Sequence, residues 1–171
     1  MQIPNHVSNY SVFKDGRRLL GVADCTLPNL ANLTATLKGS GIPGEIDMPV
    51  QCQWQAASVA INWHTVTDDA VYTIYQDGAN LDIWAAHQYH DTSENKIIHR
   101  GWRYVLGTVP KSFNLGNLEV GTLGGASTEL ELITCRILFD GVEQFNLDKG
   151  NFIARVGGVD FGGRIRQLIG L

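Results

Sequence analysis

Two Asp-Gly dipeptides set between alternating apolar runs constrain this chain more than any other feature. Asp15-Gly16 separates residues 8–14 from 17–25, and Asp140-Gly141 sits inside Ile137-Leu138-Phe139-Asp140-Gly141-Val142-Glu143. A two-residue turn between paired strands needs positive φ, which Gly supplies freely and Asp tolerates. Both segments therefore read as β-hairpins. The same period of two recurs between them. Val59, Ile61 and Trp63 share one face of residues 58–66, and Leu81, Ile83, Ala85 and Tyr89 share one face of 81–90. After a turn at 91–95, Ile98, Trp102, Tyr104 and Leu106 line one face of 97–109, opposite His99, Gly101, Arg103 and Gly107. Successive side chains of a strand point to opposite faces, so an antiparallel sandwich or barrel with one buried face is expected.

Two stretches break the alternation. Cys52 and Trp54 are even-numbered and apolar among Gln51, Gln53 and Gln55, a parity opposite to that of 58–66. Such a reversal implies a bulge, or a strand passing between environments. Residues 128–139 carry Ile133, Cys135, Ile137 and Phe139 on one face but also Leu130, Leu132 and Leu138 on the other. A strand apolar on both faces calls for a second burial surface, so Leu130 and Leu132 are expected to meet a neighbouring subunit.

One short flanking helix is expected at 69–76, with Thr67 or Asp68 as its cap and Val71, Ile74 and Tyr75 as a buried stripe. Gly78 is placed to end it. Residues 37–50, rich in Gly39, Gly41, Pro43, Gly44 and Pro49, read as an extended loop. So do residues 110–126, with Pro110, Gly116, Gly121, Gly124 and Gly125. Loops of this length in one compact domain imply a task. At 171 residues the whole chain, 1–171, is expected to be that one domain.

Chemistry is hard to assemble from these residues. Gly39-Ser40-Gly41-Ile42-Pro43-Gly44 matches G-x-G-x-x-G literally, yet Pro43 opposes the helix that a dinucleotide loop must open. His87 and His90 fall on opposite faces of one strand, and Cys25, Cys52 and Cys135 lie too far apart in sequence for a metal knuckle. No catalytic residue, metal ligand or cofactor is expected. A net charge of -4 argues against grip on a phosphate backbone. No apolar run approaches the ~20 residues needed to cross a bilayer, so membrane insertion is not expected. The absence of a signal peptide and of a cysteine framework points to a reducing cytoplasm. Charged residues are 18% of the chain against a usual ~25%, which leaves surface to be buried in an assembly. Between Lys38 and Lys96 there is no Lys or Arg but there are eight acids, whereas residues 149–171 carry four basic residues and Asp160 alone. Complementary ends for head-to-tail stacking, using Arg164 and Arg166, are the expectation.

Both ends of the chain resemble the major tail tube proteins of contractile-tailed phages and of phage-tail-like bacteriocins. The resemblance runs through Tyr10-Ser11-Val12-Phe13-Lys14-Asp15-Gly16, Gly21-Val22, Thr26-Leu27-Pro28-Asn29-Leu30, Gly39, Gly41 and Ile46-Asp47-Met48. It resumes at Leu138-Phe139-Asp140-Gly141-Val142-Glu143 and continues through Asn151, Gly158-Val159-Asp160 and Ile169-Gly170-Leu171. Gly162 and Gly163 fall where that family has a short helix and disfavour one here. The resemblance implies a β-sandwich-like domain, six copies of which close a ring whose inner strands form one barrel, with rings stacked into a hollow tube. It implies a sheath protein outside, baseplate and tail terminator proteins at the ends, a tape measure protein in the lumen, and DNA as non-specific cargo. It places the subunit in a virion or bacteriocin particle assembled in the host cytoplasm. Leu27, Pro28, Leu30, Gly39, Gly41, Pro43 and Gly44 are its expected assembly residues, beside Leu130, Leu132, Arg164 and Arg166. A secretion-machine tube and a small-ligand-binding β-barrel are the alternatives; the latter predicts a monomer.

Overall fold

The computed structural model describes residues 1–75 and 77–171. In chain order the strands are β1 (Gln2–Lys14), β2 (Arg17–Arg18), β3 (Val22–Thr26), β4 (Asn32–Gly39), β5 (Ile42–Trp54) and β6 (Ser58–Trp63). Helix α1 (Asp68–Tyr72) follows, then β7 (Ala79–Asp91), β8 (Lys96–Asn114), β9 (Ser127–Phe139), β10 (Val142–Asp148), β11 (Ile153–Val156) and β12 (Val159–Asp160). Helix α2 (Gly163–Ile169) closes the chain. All pairings are antiparallel, as the alternation requires.

Both Asp-Gly turns form. Asp15 and Gly16 take φ of 49° and 83° beneath the Lys14–Arg17 pair, and Asp140 and Gly141 take 46° and 83° beneath Phe139–Val142. The long sheet runs β12-β11-β10-β9-β8-β7-β1-β2. One edge of β9 is shared: its C-terminal half pairs β10, while Ser127–Glu131 pair β6, which in turn pairs β3. The β3–β6 pair and α1 thereby form a second layer over the first. Val12, Val59, Ile61, Trp63, Leu81 and Leu106 fill the space between them.

The two-faced pattern of β9 has an internal cause. Thr108 pairs Leu132 and Gly107 pairs Thr134, so Ile133 is an extra, bulged residue. A bulge reverses side-chain parity. Even-numbered Leu130 and Leu132 and odd-numbered Cys135 consequently face one core, while Ile133 turns outward at 39% exposure. No second burial surface is needed. The parity reversal near Trp54 has both expected causes: β5 bulges opposite Leu33, and after Gln55–Ala57 the chain leaves β5, whose one strand partner among the described residues is β4, and enters the main sheet as β6.

Other expectations are corrected. Residues 37–50 belong to a β-hairpin, β4–β5, with irregularities at its root and near its tip, and β8 runs on through Pro110 to Asn114, leaving 115–126 irregular. The glycines there take positive φ without preventing pairing. Helix α1 is capped by the Thr67 hydroxyl, which accepts from the Ala70 amide at 3.2 Å, but the helix ends at Tyr72. Residue 76, the last of the expected helix, lies outside the described residues. The face α1 buries holds Asp69, Ala70 and the capping Thr73, while Val71 and Tyr75 are exposed at 49% and 62%. Asp69 is drawn inward because Arg17 Nη2 reaches it at 2.6 Å and the Leu20 amide donates to it at 2.8 Å. The second helix, α2, forms despite Gly162 and Gly163. Arg166 holds it by donating to the Phe152 carbonyl at 2.8 Å and to the Asp160 carboxylate.

Candidate assembly surface

The hairpin β4–β5 stands apart from the sheet as a two-stranded unit of its own. Its register pairs Ala35 with Met48 and Leu37 with Ile46, so these residues lie on one face together with Leu33. Thr36 pairs Asp47 on the other face, where the Thr36 hydroxyl donates to the Asp47 carboxylate at 2.7 Å and Lys38 meets Glu45 at 3.5 Å. The arm is therefore amphipathic, yet Leu33, Leu37, Ile46 and Met48 are 43–49% exposed. An isolated two-stranded hairpin is marginal in water. Covering one aliphatic side chain of this size fully contributes ~1.5–3 kcal/mol, so the arm presents a surface built to be covered.

At the arm's root Cys52 holds φ of 60°, unusual for a side-chain-bearing residue. Residues 50–53 loop out opposite Leu33, between the pairs Thr34–Pro49 and Asn32–Trp54. Trp54 then turns its ring edge-on to Phe145, with 6.1 Å between centroids. Burial first, and the Asp160 carboxylate second, push the Cys52 thiol up.

The expected assembly residues separate into groups. Gly39, Gly41, Pro43 and Gly44 lie at the arm's tip. Leu27 is 40% exposed just after β3, whereas Pro28 is half-buried and Leu30 packs against the core. Leu130 and Leu132 are 0% exposed inside their own subunit and are withdrawn from any neighbour. Arg164 is exposed and donates to Gln167, but Arg166 is an internal tie. Its hydrogen bond holds the Asp160 carboxyl below the usual carboxylate range.

The two charge clusters are partly paired within the subunit. Glu45, Asp69, Asp82, Asp91 and Glu94 pair with Lys38, Arg17, Arg103, the N-terminal amine and Lys96. Lys149 meets Glu131 and Arg155 meets Asp160. Five of the eight acids are thus paired within the subunit, whereas at the C-terminus only Lys149 draws on an acid from outside the segment, so the asymmetry is reduced rather than removed. The amphipathic arm was missed as such because Gly and Pro dominate its middle. Its signal was the alternation Leu33-Thr34-Ala35-Thr36-Leu37 answered by Ile46-Asp47-Met48.

A second surface lies on the long sheet. The inward face of β7 and β8 is buried up to Ala85 and Leu106, but beyond them His87, Tyr89, Ile98, Arg100 and Trp102 are only partly covered. Trp102 packs on Phe139 at 4.7 Å, and Arg100 lies over the rings of Phe139 and Tyr89. Among the described residues no three His, Cys, Asp or Glu side chains converge as a metal site.

Residues 4–170 match the family model described as phage tail tube protein FII. The tail tube protein of Escherichia phage P2 is 25% identical over 176 residues, covering 100% of both chains. Among solved structures, the sheath/tube terminator of an extracellular contractile injection system (PVC, extended state) is 15% identical. It covers 80% of this chain and 96% of that one, with a TM-score of 0.48. The PVC sheath–tube complex gives 14%, 80%, 90% and 0.46 for the same four measures. With a family match along nearly its whole length, the chain belongs to the phage tail tube protein FII family, as a structural subunit and not an enzyme.

Proposed function

We propose that this single-domain subunit builds the inner tube of a contractile injection particle. Six copies close a ring in which their sheets continue edge to edge as one barrel, and rings stack into a hollow conduit. The cargo is DNA in a phage, or ions in a bacteriocin. The observation that carries this reading is the open edge of β1. Residues Gln2–Ser11 pair β7 on one side and no strand on the other among the described residues. An edge this long is a template for another chain. Pro4 and two bulges, between Pro4 and His6 and between Val7 and Asn9, blunt its outer half. That leaves the inner half for a defined partner.

The arm, on this reading, reaches a neighbouring copy, and residues 27–30 and 39–44 contribute to that contact. A sheath protein would cover the outside, terminator and baseplate proteins the ends, and a tape measure protein the lumen, in a particle assembled in the host cytoplasm. Negative-stain microscopy of the purified protein, without metal or nucleotide, tests the proposal. Rings or tubes of six-fold symmetry are expected. A monomer that stays monomeric at high concentration overturns the reading and favours a ligand-binding barrel.

A further inference from the structure

Asp-Gly steps occur at 15–16, 77–78 and 140–141, and the fold treats them unequally. Such a step is open to backbone isomerisation, because Gly has no side chain to keep its peptide nitrogen away from the Asp carboxyl. Closing a ring between that nitrogen and Cγ requires the peptide to rotate about the Asp Cα–C bond. At 15–16 and 140–141 the rotation is opposed. Each is the two-residue turn of a hairpin, closed by the Lys14–Arg17 or the Phe139–Val142 pair. Each Asp is also latched to a neighbouring strand at two points. The Asp15 amide donates to the Asn80 carbonyl at 3.0 Å, and its Oδ1 accepts from the Asn80 amide at 3.4 Å. The Asp140 amide donates to the Gly101 carbonyl at 2.9 Å, and its Oδ1 accepts from the Gly101 amide at 2.9 Å.

Asp77-Gly78 lacks both restraints. It precedes Ala79, where β7 begins, so no strand pair closes over it. Asp77 is exposed, and among the described residues neither its amide nor that of Gly78 donates to a backbone carbonyl. No hydrogen bond or ion pair to a described residue holds its carboxylate, in contrast to Asp15 and Asp140. It stands with Lys14, Tyr72 and Thr108 around an open cleft of about 520 Å³.

We propose that Asp77 is a self-modification site, at which the folded chain converts to isoaspartate. The Gly78 nitrogen bonds to Cγ of the protonated Asp77 carboxyl. The Cγ–OH bond breaks, and the hydroxyl leaves as water with the proton from that nitrogen. A second water opens the succinimide at the original main-chain carbonyl. The main chain then runs through Cγ, one methylene longer, and the former carbonyl carbon becomes an exposed carboxylate. One water leaves and one enters, so no co-reactant is required and the mass is unchanged. Assembly plays no part in this conversion. The product carboxylate suits one chemical class of partner, a methyltransferase that esterifies isoaspartate from S-adenosylmethionine. The cleft also couples the site to the core. Lys14 is 1% exposed and donates to the Tyr72 carbonyl at 2.6 Å, with its ammonium 4.2 Å from the Tyr72 ring. A longer backbone between Tyr72 and Ala79 slackens the end of α1 on which that buried charge depends.

The test ages dispersed full-length subunits in H₂¹⁸O at physiological temperature and slightly acidic pH, beside the same chain in denaturant. Isoaspartate is located in the separated peptides by electron-transfer fragmentation and by the ¹⁸O it carries. At 77 the folded chain should convert within about threefold of its unfolded rate, since no pairing has to open first. At 15 and 140 the folded rate should be at most about a tenth of the unfolded one, because two hydrogen bonds and a strand pair must open. Asp77→Glu, whose longer side chain closes the ring poorly, should melt like the parent and show no conversion there. Aged parent, but not aged Asp77→Glu, should exchange the amides of residues 68–73 roughly tenfold faster than fresh protein. Suppression at 77 as strong as at 15 and 140 overturns the proposal. Unchanged exchange in fully converted chains overturns the coupling to Lys14.

Discussion

Replacing Leu132 with Ala separates a core role from an interface role. Leu132 is 0% exposed, pairs Thr108 across the sheet and donates its amide to the Ala57 carbonyl at 2.8 Å. Truncation removes three buried carbons and leaves a cavity against Val59, Trp63 and Leu106, neighbours too well packed to collapse fully. Leu-to-Ala changes at such sites cost ~2–5 kcal/mol, and the middle of that range, ~3, fits a side chain closed on all sides. A domain of this length loses roughly 2–4 °C of melting temperature per kcal/mol, so a drop of about 6–12 °C is expected. Circular dichroism on dispersed subunits, diluted until light scattering shows no tubes, reads it directly. Ile133→Ala is the control: the bulged side chain points outward, and its loss should cost under ~1 kcal/mol. A Leu132→Ala subunit that melts within a degree or two of the parent yet no longer polymerises would refute the bulge and restore Leu132 to an interface.

Further outcomes follow from the same structure. Met48→Glu should leave subunit melting within ~0.5 kcal/mol of the parent while reducing tube yield on the order of tenfold or more, scored by sedimentation. Gly162→Ala drives a new Cβ into the Phe152 backbone carbonyl, so a loss of ~1–3 kcal/mol is expected in chemical denaturation. Arg166→Glu should release α2, seen as roughly tenfold faster amide exchange in residues 165–171. Because Arg166 depresses the Asp160 carboxyl, the parent keeps that contact above pH 3.8 and should release α2 as pH falls below it. Burial pushes Cys25 up to about 12 and Cys135 up to about 11, so at pH 8 neither thiol should label with maleimide until denaturant is added.

What could be read in advance was whatever is encoded locally. The Asp-Gly turns and the faces of β6, β7 and β8 follow from φ preferences and period-two alternation, and they stand in the fold as read. The bulge at Ile133 was illegible because its partner, the Gly107–Thr108 step, lies some 25 residues away, and neither strand shows alone that one residue is surplus. Helix α1 inverted for a similar reason. Its apolar stripe was plain, but Arg17 and the Leu20 amide, supplied from elsewhere, draw Asp69 inward instead. Gly and Pro were given too much weight in the arm, where positive φ at Gly39, Gly41 and Gly44 coexists with pairing. The residues at 27 and 39–44 were singled out by resemblance, and they lie just after β3 and at the arm's tip. The half-covered sheet needed the register of three strands at once.

The pairing order of the sheet also dictates a timetable for biosynthesis. Gln2 finds its partner only at Asp91, and chains grow at about 5–20 residues per second, so β1 waits roughly 4–18 s for β7 to emerge. β6 waits somewhat less, roughly 4–14 s, since Val59 pairs Leu130, and β3 depends on β6. The arm alone is local, with both its strands inside residues 32–54. A nascent chain thus displays its sticky hairpin well before it owns a body to carry it. Until β9 has been made there is no second layer for the core to close against. Synthesis of β9 therefore sets the earliest moment at which the core can close.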